Sequence, residues 1–399
     1  GVRERLMRSL AEHLQLVMSR VRPLEPLALP LLDANGCVLA VDVTAPANIP
    51  AFHCSAVAGY AARAGDIAVA SPTSVLQMRE LPFGSGLAPG CLVPVAVGAP
   101  IPYGADCVLP LENTDRGAPI VRVGKAVARG ENIAMAGSEL SAGDTLLTVG
   151  QVLGSREIAV LAAIGVGKVP AYPRPRVAVI TTGTELYDTS RVRTTGAGAS
   201  KPDINGVSMA CAIVEAGALS YRVGPIDDDP VLLRKILDDQ LGRADMVVTT
   251  GGIGSEPDDV VRPVLATMGT VDFAWVALDP GRVQGMGSLG SSNVPLLALP
   301  GEPTAAFVSF ELFVRPVVRR LMGHSEVFGA REQLALTESV TGTPGETRMI
   351  PGVCTDGSVK PLGAGVEALA DSNCLIMLPP DTDEVTVGGM VTVVHLETQ

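Results

Sequence analysis

Three short segments of the chain combine glycine with threonine or proline at the ends of apolar runs. They are TTGTEL at 181–186, TTGGIGSEPDD at 249–259 and LPGEPTAA at 299–306. Glycine allows the backbone to approach a ligand closely, while threonine hydroxyls and helix N-terminal N–H groups can hold a phosphate or another oxyanion. One such segment would be interpreted as a turn, but three at the strand ends of one domain favour a binding pocket. The candidate ligand-binding residues are Thr182, Gly183, Thr250, Gly251, Gly252, Ser255, Pro300 and Gly301.

The sequence argues against several other kinds of site. No G-x-G-x-x-G joins the first strand of this domain to its helix, which argues against a dinucleotide-binding site, and no P-loop is present. The four histidines have no ligand spacing, which argues against a zinc site and a histidine-based triad. The seven cysteines include no C-x-x-C pair, so we expect small buried apolar residues in a reducing cytoplasm.

Composition limits the partners of the protein. The chain has 399 residues, of which 47% are hydrophobic and 18% charged, with a formal net charge of −12. A charge of this sign argues against nucleic acid and anionic membranes as partners, so an anionic ligand must be held by local contacts. No apolar run approaches the roughly 20 residues that span a bilayer, and we expect a cytoplasmic protein.

The order of apolar runs places the three segments at one edge of a predicted parallel sheet. Strands alternate with helices between residues 175 and 323, and the strands are nearly continuous apolar runs. This pattern predicts a sheet covered by helices on both faces, with the ligand at the carboxyl ends of the strands. The predicted strands are 176–182, 219–226, 245–250 and 294–300, and the predicted helices are 206–218, 229–242, 258–269 and 304–323.

The flanking sequence differs from this α/β region. A helix at about 3–19 precedes it, and residues 45–150 consist of short apolar runs broken by proline and glycine, which predicts a β-rich region. The fold class predicted is α/β plus β: a central three-layer parallel α/β domain, a β-rich inserted domain and a small C-terminal β-domain. The predicted domains are an N-terminal helical and linker domain (1–44 and 146–174), the inserted domain (45–145), the α/β domain (175–325) and the C-terminal domain (326–399).

An ordered set of motifs along nearly the whole chain resembles the MoeA / gephyrin E-domain family of molybdopterin molybdenumtransferases. The motifs are PAFHCSAVAGYA, GAPIPYGADCVLPLEN, GENIAMAGSELSAGDTLL, PRVAVITTGTEL, TTGGIGSEPDD, LDPGRV and LPGEPTAAFVSFELFVRP. The resemblance implies an elongated four-domain homodimer whose α/β domain binds molybdopterin or its adenylated form. It also implies the insertion of molybdate into adenylated molybdopterin with magnesium-dependent release of the nucleotide, alongside other proteins of molybdenum cofactor biosynthesis.

The resemblance adds residues to the candidate site. It implies that Arg282 and Arg348 hold phosphate or molybdate, since arginine binds oxyanions through two parallel hydrogen bonds. It extends the pocket to Asn205, Pro280 and Gly281, and it implies a Mg²⁺ site formed by Glu185, Asp228 and Asp259. Asp203, close to Asn205, matches a family position but is equally suited to cap the following helix.

Several acids of the family pattern are missing. Ala58 stands where the family has the second Asp of D-N-S-A-M-D-G-Y-A, Thr184 replaces the Asp of G-D-E-L, and Pro257 replaces the first Asp of G-D-Y-D. Alanine cannot bind a metal or transfer a proton. These losses put the insertion reaction in doubt, because each removes a carboxylate from a functional segment.

Other departures change the charge expected around an anionic ligand. Asp279 replaces the first lysine of K-P-G-K-P and Arg282 the second, while Glu302 stands where the family has a neutral Asn. A charge reversal at a few ångströms would cost several kcal/mol, estimated roughly with an effective dielectric constant near 20. Glu302 is also well placed to cap the helix that follows it.

Three hypotheses therefore remain open from the sequence. The first is the molybdate-inserting enzyme, and the second is a paralogue that keeps the fold and the dimer but serves as a cofactor carrier, sensor or scaffold without turnover. The third is an acidic cleft for a cationic metabolite or a metal nucleotide. The acids of this third hypothesis are Glu256, Asp258, Asp259, Asp279 and Glu302.

Overall fold

The computed structural model describes residues 7–190, 200–254 and 259–396. Contacts divide the chain into two compact units. The larger unit comprises Gly1–Ala40, Gly150–Ser155 and Lys168–Gln399, and the smaller unit comprises Val41–Val149 and Arg156–Gly167. The division into four domains stays a prediction.

The helices of the described residues are short, and none of them is long and apolar enough to cross a membrane. Two further helical turns accompany them, a 3-10 turn at Leu111–Asn113 and a π-helical turn at Phe310–Val314. In chain order the helices are α1 (Leu10–Ser19), α2 (Leu31–Ala34), α3 (Ala64–Ile67), α4 (Ser155–Ala163), α5 (Ile204–Glu215), α6 (Pro230–Leu241), α7 (Val261–Leu265), α8 (Pro303–Ser309), α9 (Arg315–Leu321) and α10 (Val366–Asp371).

The strands fall into two large sheets of the larger unit, one of the smaller unit, and several two-stranded ribbons. They are β1 (Leu27–Pro30), β2 (Val43–Thr44), β3 (Cys54–Ser55), β4 (Gly59–Ala62), β5 (Leu76–Glu80), β6 (Cys91–Val95), β7 (Cys107–Pro110), β8 (Ile120–Val123), β9 (Ile133–Ala134), β10 (Thr145–Leu147), β11 (Lys168–Ala171), β12 (Arg176–Thr182), β13 (Leu186–Tyr187), β14 (Lys201–Pro202), β15 (Leu219–Ile226), β16 (Met246–Thr250), β17 (Gly269–Trp275), β18 (Leu278–Asp279), β19 (Val283–Leu289), β20 (Val294–Leu299), β21 (Arg331–Leu336), β22 (Val340–Thr341), β23 (Thr347–Thr355), β24 (Ser358–Pro361), β25 (Cys374–Leu378), β26 (Glu384–Val385) and β27 (Met390–His395).

The central sheet of the larger unit has the strand order β15-β12-β16-β20-β19-β17. The first four strands are parallel, as predicted, and the helices between them make the crossover connections. The strand order reverses beside β12, the first of these strands in the chain. A cleft at the carboxyl ends is expected at such a reversal.

Alternate residues of each parallel strand point into different cores, which explains why the strands are continuous apolar runs. Val177 and Val179 pack into the core that includes α1, α5 and α9, whereas Ala178 and Ile180 pack into the core that includes α6 and α7. All four side chains are fully buried. The three-layer arrangement predicted from the sequence is therefore confirmed.

The edge of the same sheet differs from the prediction. Strands β17 and β19 pair antiparallel with each other, and β19 pairs antiparallel with β20, so the sheet is mixed and not wholly parallel. The sequence analysis did not predict these strands. Gly285 and Gly287 interrupt the strand signal of β19, but a Cβ at Gly287 would lie 2.0 Å from the Thr270 carbonyl oxygen of β17. The glycines thus permit the close pairing of these two strands.

The long helix predicted at 304–323 is confirmed in position but is not regular. It consists of α8, the π-helical turn and α9, and the N–H of Arg315 donates to the carbonyl of Phe310. Pro316 has no N–H for the carbonyl of Leu312, so the regular helical ladder cannot continue unbroken there. The helix predicted at 258–269 is also shorter than expected, because β17 begins at Gly269.

The remaining sheets are built from short strands. Residues after 326 supply five strands of a six-stranded sheet, β18-β23-β24-β21-β27-β25, which an additional pairing of β23 with β25 closes into a barrel. Strand β18 comes from the α/β region and pairs in parallel with β23. In the smaller unit the main sheet has the order β7-β4-β6-β5-β8, in agreement with the predicted β-rich region.

Helix α1 carries a buried histidine. His13 is 1% exposed, contacts the Phe313 ring edge-to-face at 5.0 Å, and lies 3.2 Å from the guanidinium of Arg8. Arg8 in turn forms a 2.6 Å ion pair with Asp272 of β17. Burial, with the nearby Arg8 charge as the second cause, lowers the pKa of His13 from 6.5 to about 4. The ring is therefore neutral at pH 7.

We predict that acid destabilises the larger unit through this histidine. The unfolded chain takes up a proton below pH 6.5 and the folded chain only near pH 4, so stability present at pH 7 is lost as the pH falls through this window. The loss between pH 7 and pH 5 should be about 2 kcal/mol. Urea unfolding followed by the fluorescence of the single tryptophan, Trp275, measures it.

The matched variants are His13→Gln and His395→Gln, because His395 is partly exposed beside Glu332. The first variant should flatten the pH dependence between pH 7 and pH 5. The second should leave it as in the wild type. An equal slope in the wild type and in His13→Gln would contradict the prediction.

Candidate functional site

A cleft of about 1120 Å³ opens at the carboxyl ends of the parallel strands, within the larger unit. All three glycine-containing turns line it. Of the predicted ligand-binding residues that the structure describes, all lie in its wall: Thr182, Gly183, Asn205, Thr250, Gly251, Gly252, Pro280, Gly281, Pro300 and Gly301. Ser255 lies outside the described residues, so its predicted contact stays a prediction.

Strand register brings the three turns together. Thr181 pairs with Thr250, and Thr250 pairs with Leu299, so the strands β12, β16 and β20 end side by side. A Cβ on Gly301 would lie 3.3 Å from the Cα of Gly251. Gly252 has φ of +65°, and its Cβ would lie 2.7 Å from Val261. The turns therefore need residues without side chains at their point of contact.

The floor of the cleft carries polar atoms that lack partners among the described residues. The hydroxyls of Thr181, Thr182 and Thr250 and the side-chain oxygen of Asn205 are buried without a hydrogen bond there. A buried polar group without a partner costs about 1–3 kcal/mol. An ordered water, an ion or a ligand can complete the bonding of such a group, and these four residues line one cleft.

Helix α5 is fixed at the cleft by its first residues. Asp203 accepts a hydrogen bond from Gly206 N–H at 2.8 Å, which confirms its predicted capping role, and it forms a 2.9 Å ion pair with Arg222. Asn205, one residue inside the helix, donates from Nδ2 to the carbonyl of Gly301 at 2.9 Å. The amide therefore joins α5 to the turn between β20 and α8.

Two further acids of the cleft are held by internal hydrogen bonds. Glu302 accepts from the N–H groups of Thr304 and Ala305 at 2.9 and 2.7 Å, so it caps α8 as predicted. Asp228 accepts from the backbone N–H of Thr184 at 3.0 Å and from its hydroxyl at 3.3 Å. Thr184, which stands where the family pattern has an acid, thus donates to the carboxylate of Asp228.

The turn between β18 and β19 carries the two charged residues that replace family lysines. Asp279 accepts a 2.5 Å hydrogen bond from the hydroxyl of Thr343, and Arg282 donates from Nε to Glu346 at 2.7 and 2.9 Å. The Glu346 carboxylate raises the pKa of Arg282 above its usual value. Both residues also line the cleft; the Arg282 charge is paired with Glu346, whereas Asp279 receives a neutral hydroxyl.

The predicted Mg²⁺ ligands are only partly brought together. Glu185, Asp228 and Asp259 line the same cleft. Within residues 7–190, 200–254 and 259–396, however, no group of three or more carboxylate, histidine or cysteine side chains has the arrangement of a metal site. Glu256, Pro257 and Asp258 lie outside these ranges, and the metal assignment stays a prediction.

Arg348 lies on β23, the strand that pairs with β18 beside the turn from Asp279 to Arg282. Its backbone pairs with Asp279 across β23 and β18, and its guanidinium donates to the carbonyl and hydroxyl of Thr341. It is not among the described residues that line the cleft. Ala58 belongs to the smaller unit.

Trp275 and Lys201 are among the lining residues that the sequence analysis missed. Trp275, the only tryptophan, is 47% exposed at the end of β17, and Lys201 adds a positive charge from β14. A single tryptophan in a chain with 3% aromatic residues was a signal that could have predicted an aromatic contact in the site. The described lining contains six acids and two basic residues: Glu185, Asp203, Asp228, Asp259, Asp279, Glu302, Lys201 and Arg282.

Fold and site together define a class of protein: a doubly wound domain with a polar cleft at the carboxyl ends of its parallel strands, joined to a C-terminal β-barrel. Profiles of protein families agree segment by segment. Residues 8–165 match the MoeA N-terminal region (domain I and II), residues 178–320 a probable molybdopterin binding domain, and residues 333–396 the MoeA C-terminal region (domain IV).

Relatives that align over nearly their full length show the family to which the chain belongs. Molybdopterin molybdenumtransferase 1 of Mycobacterium tuberculosis is 34% identical over 426 residues, which cover 98% of this chain and 99% of the relative. Molybdopterin molybdenumtransferase 2 of the same organism is 32% identical over 406 residues, covering 97% and 99%. A solved molybdopterin biosynthesis MoeA protein from Pyrococcus horikoshii has a TM-score of 0.82 at 25% identity, covering 98% of this chain and 100% of that one. The chain belongs to the MoeA family.

We predict that Asn205 is required for the arrangement of the cleft. In the variant Asn205→Asp, a carboxylate oxygen replaces the donor that faces the Gly301 carbonyl at 2.9 Å. Two acceptors then oppose each other, and the larger unit should lose about 2 kcal/mol of unfolding free energy. Urea unfolding followed by Trp275 fluorescence measures this loss.

Asn132→Asp is the matched control. Asn132 donates to the Val108 carbonyl at 2.9 Å in the smaller unit, which contains no tryptophan. Its replacement should leave the Trp275 transition unchanged. An unchanged transition in Asn205→Asp would show that the amide does not hold α5 to the turn.

Proposed function

We propose that the protein inserts molybdate into adenylated molybdopterin and releases the nucleotide with Mg²⁺, as a step of molybdenum cofactor biosynthesis. The observation that carries this proposal is the set of buried, unpartnered hydroxyls of Thr181, Thr182 and Thr250 around one cleft. They lie in the segment that matches a probable molybdopterin binding domain. The names of the full-length relatives support a transferase and do not favour a carrier or scaffold without turnover.

The cleft residues suit an anionic substrate despite the excess of acids. The N–H groups of Gly252 and Gly301 would receive phosphate oxygens of the substrate, whereas those of Gly183 and Gly251 already donate to the carbonyls of Ile226 and Leu299. Arg282 would bind an oxyanion through its terminal nitrogens, and Arg348 would add charge from the neighbouring strand β23. Arg222 pairs with Asp203, and the first N–H groups of α8 engage Glu302, which argues against a cationic ligand at these two acids.

Mg²⁺ fits the donor chemistry of the cleft when it is shared with the substrate. Mg²⁺ commonly takes one or two carboxylates and fills its octahedral shell with waters and substrate phosphate oxygens. Glu185, Asp228 and Asp259 are the carboxylates that would supply such contacts. The ion would offset the phosphate charge beside the acidic wall.

The aromatic part of the substrate also has a suitable partner. Trp275 is half-exposed in the cleft, and indole rings stack on other flat aromatic rings. We propose that it contacts the pterin or the adenine. A cytoplasmic homodimer that works with other proteins of cofactor biosynthesis completes the proposal.

The reaction itself is the first test. Purified protein mixed with adenylated molybdopterin, molybdate and Mg²⁺ should release adenosine monophosphate, and chelation of Mg²⁺ should slow the release by at least about tenfold because the phosphate charge is then uncompensated. Nucleotide release is followed by chromatography. Wild-type protein that releases no nucleotide under these conditions would sink the proposed function.

Tryptophan fluorescence gives a second test. Addition of adenosine monophosphate or of molybdopterin should change the emission of the single tryptophan, since its ring would stack on the ligand. Trp275→Phe should bind within about threefold of wild type by calorimetry, while Trp275→Ala should bind about fivefold more weakly or worse. Equal affinity of the alanine variant would remove Trp275 from the site.

A further inference from the structure

The turn from Asp279 to Arg282 is fastened by three side chains that do not line the cleft. Gln284 donates to the Gly281 carbonyl at 2.8 Å and to the Ser309 hydroxyl at 2.8 Å. Thr343 holds Asp279 and Glu346 holds Arg282. Both of these residues belong to the segment that leads into β23. The barrel therefore controls the geometry of one wall of the cleft.

The pair of Arg282 and Glu346 is asymmetric. The Glu346 side chain is 8% exposed, whereas that of Arg282 is 48% exposed and lines the cleft. Both Glu346 oxygens lie within hydrogen-bond distance of the same atom, Arg282 Nε. Among the described contacts none uses the two terminal nitrogens of Arg282. The carboxylate holds the guanidinium at Nε and leaves the terminal nitrogens without a described partner, on a side chain that lines the cleft.

We propose that Glu346 is a positioning residue that fixes Arg282 for a tetrahedral oxyanion in the cleft. The inference rests on the proposed function, in which Arg282 binds the oxyanion. A long side chain on an exposed turn samples many rotamers, and each one it loses on binding reduces affinity. A guanidinium already held at Nε loses less freedom when its terminal nitrogens engage the ligand.

The alternative role of Glu346 predicts a change of opposite sign. If the carboxylate only competed with the ligand for Arg282, its neutralisation would strengthen anion binding. If it positions Arg282, the variant Glu346→Gln should weaken the binding of molybdate and of adenosine monophosphate by about fivefold. Glu346→Asp keeps the charge but retracts it by one methylene, and it should weaken binding as well.

Three further variants separate positioning from general destabilisation. Glu311→Gln alters another buried carboxylate, which pairs with Arg315 at 2.8 Å in the same unit but away from the cleft lining. It should lose stability and keep its anion affinity. Arg282→Gln should weaken binding, and adding Glu346→Gln to it should change nothing more, because Glu346 acts only through Arg282.

The experiment uses the full chain, with calorimetric titration of molybdate and, separately, of adenosine monophosphate, together with the KM for molybdate in turnover. Weaker binding in both Glu346 variants and a rise in KM with little change in kcat support the proposal. Unchanged or tighter binding in both Glu346 variants overturns it, as does unchanged binding in Arg282→Gln or a wild type that binds neither anion. Absent turnover with intact anion binding defeats only the proposed function, and the titrations then still decide the role of Glu346.

Discussion

The parallel register of β12, β16 and β20 is the constraint on which the cleft depends. Thr181, Thr250 and Leu299 lie side by side, so three segments that are far apart in the chain end at one edge. A shift of one residue in any strand would send its alternating side chains into the wrong cores and move its turn out of the wall. The buried apolar layers on both faces therefore hold the ligand-binding turns in place.

Four acids of the cleft have partners within the chain. Asp203 is paired with Arg222, Asp228 receives two hydrogen bonds from Thr184, Asp279 receives one from Thr343, and Glu302 caps a helix. Each of these contacts stabilises the carboxylate through a group of the protein itself, and no ligand is needed for it. Thr184, Asp279 and Arg282, which depart from the family pattern, thus have partners within this chain.

The sequence was sufficient for features that depend on neighbouring residues or on periodic patterns. The apolar runs predicted the parallel strands, and the polar residues before α5 and α8 predicted two caps that the structure confirms. The partners of Asp279 and Arg282 lie 64 residues further along the chain, and no local pattern connects them. Strand β19 was missed because its glycines weaken the strand pattern in the sequence. They are needed because β17 packs too closely for a side chain, and this contact is not visible in the local sequence.

The parallel pairing of β18 with β23 has a consequence for protein engineering. Residues 343 and 346 belong to the barrel segment, yet they hold the charged side chains of the turn that β18 enters. A barrel grafted from another family member would bring its own residues to these two positions. Such a chimera would alter the electrostatic character of the cleft although every lining residue stayed the same.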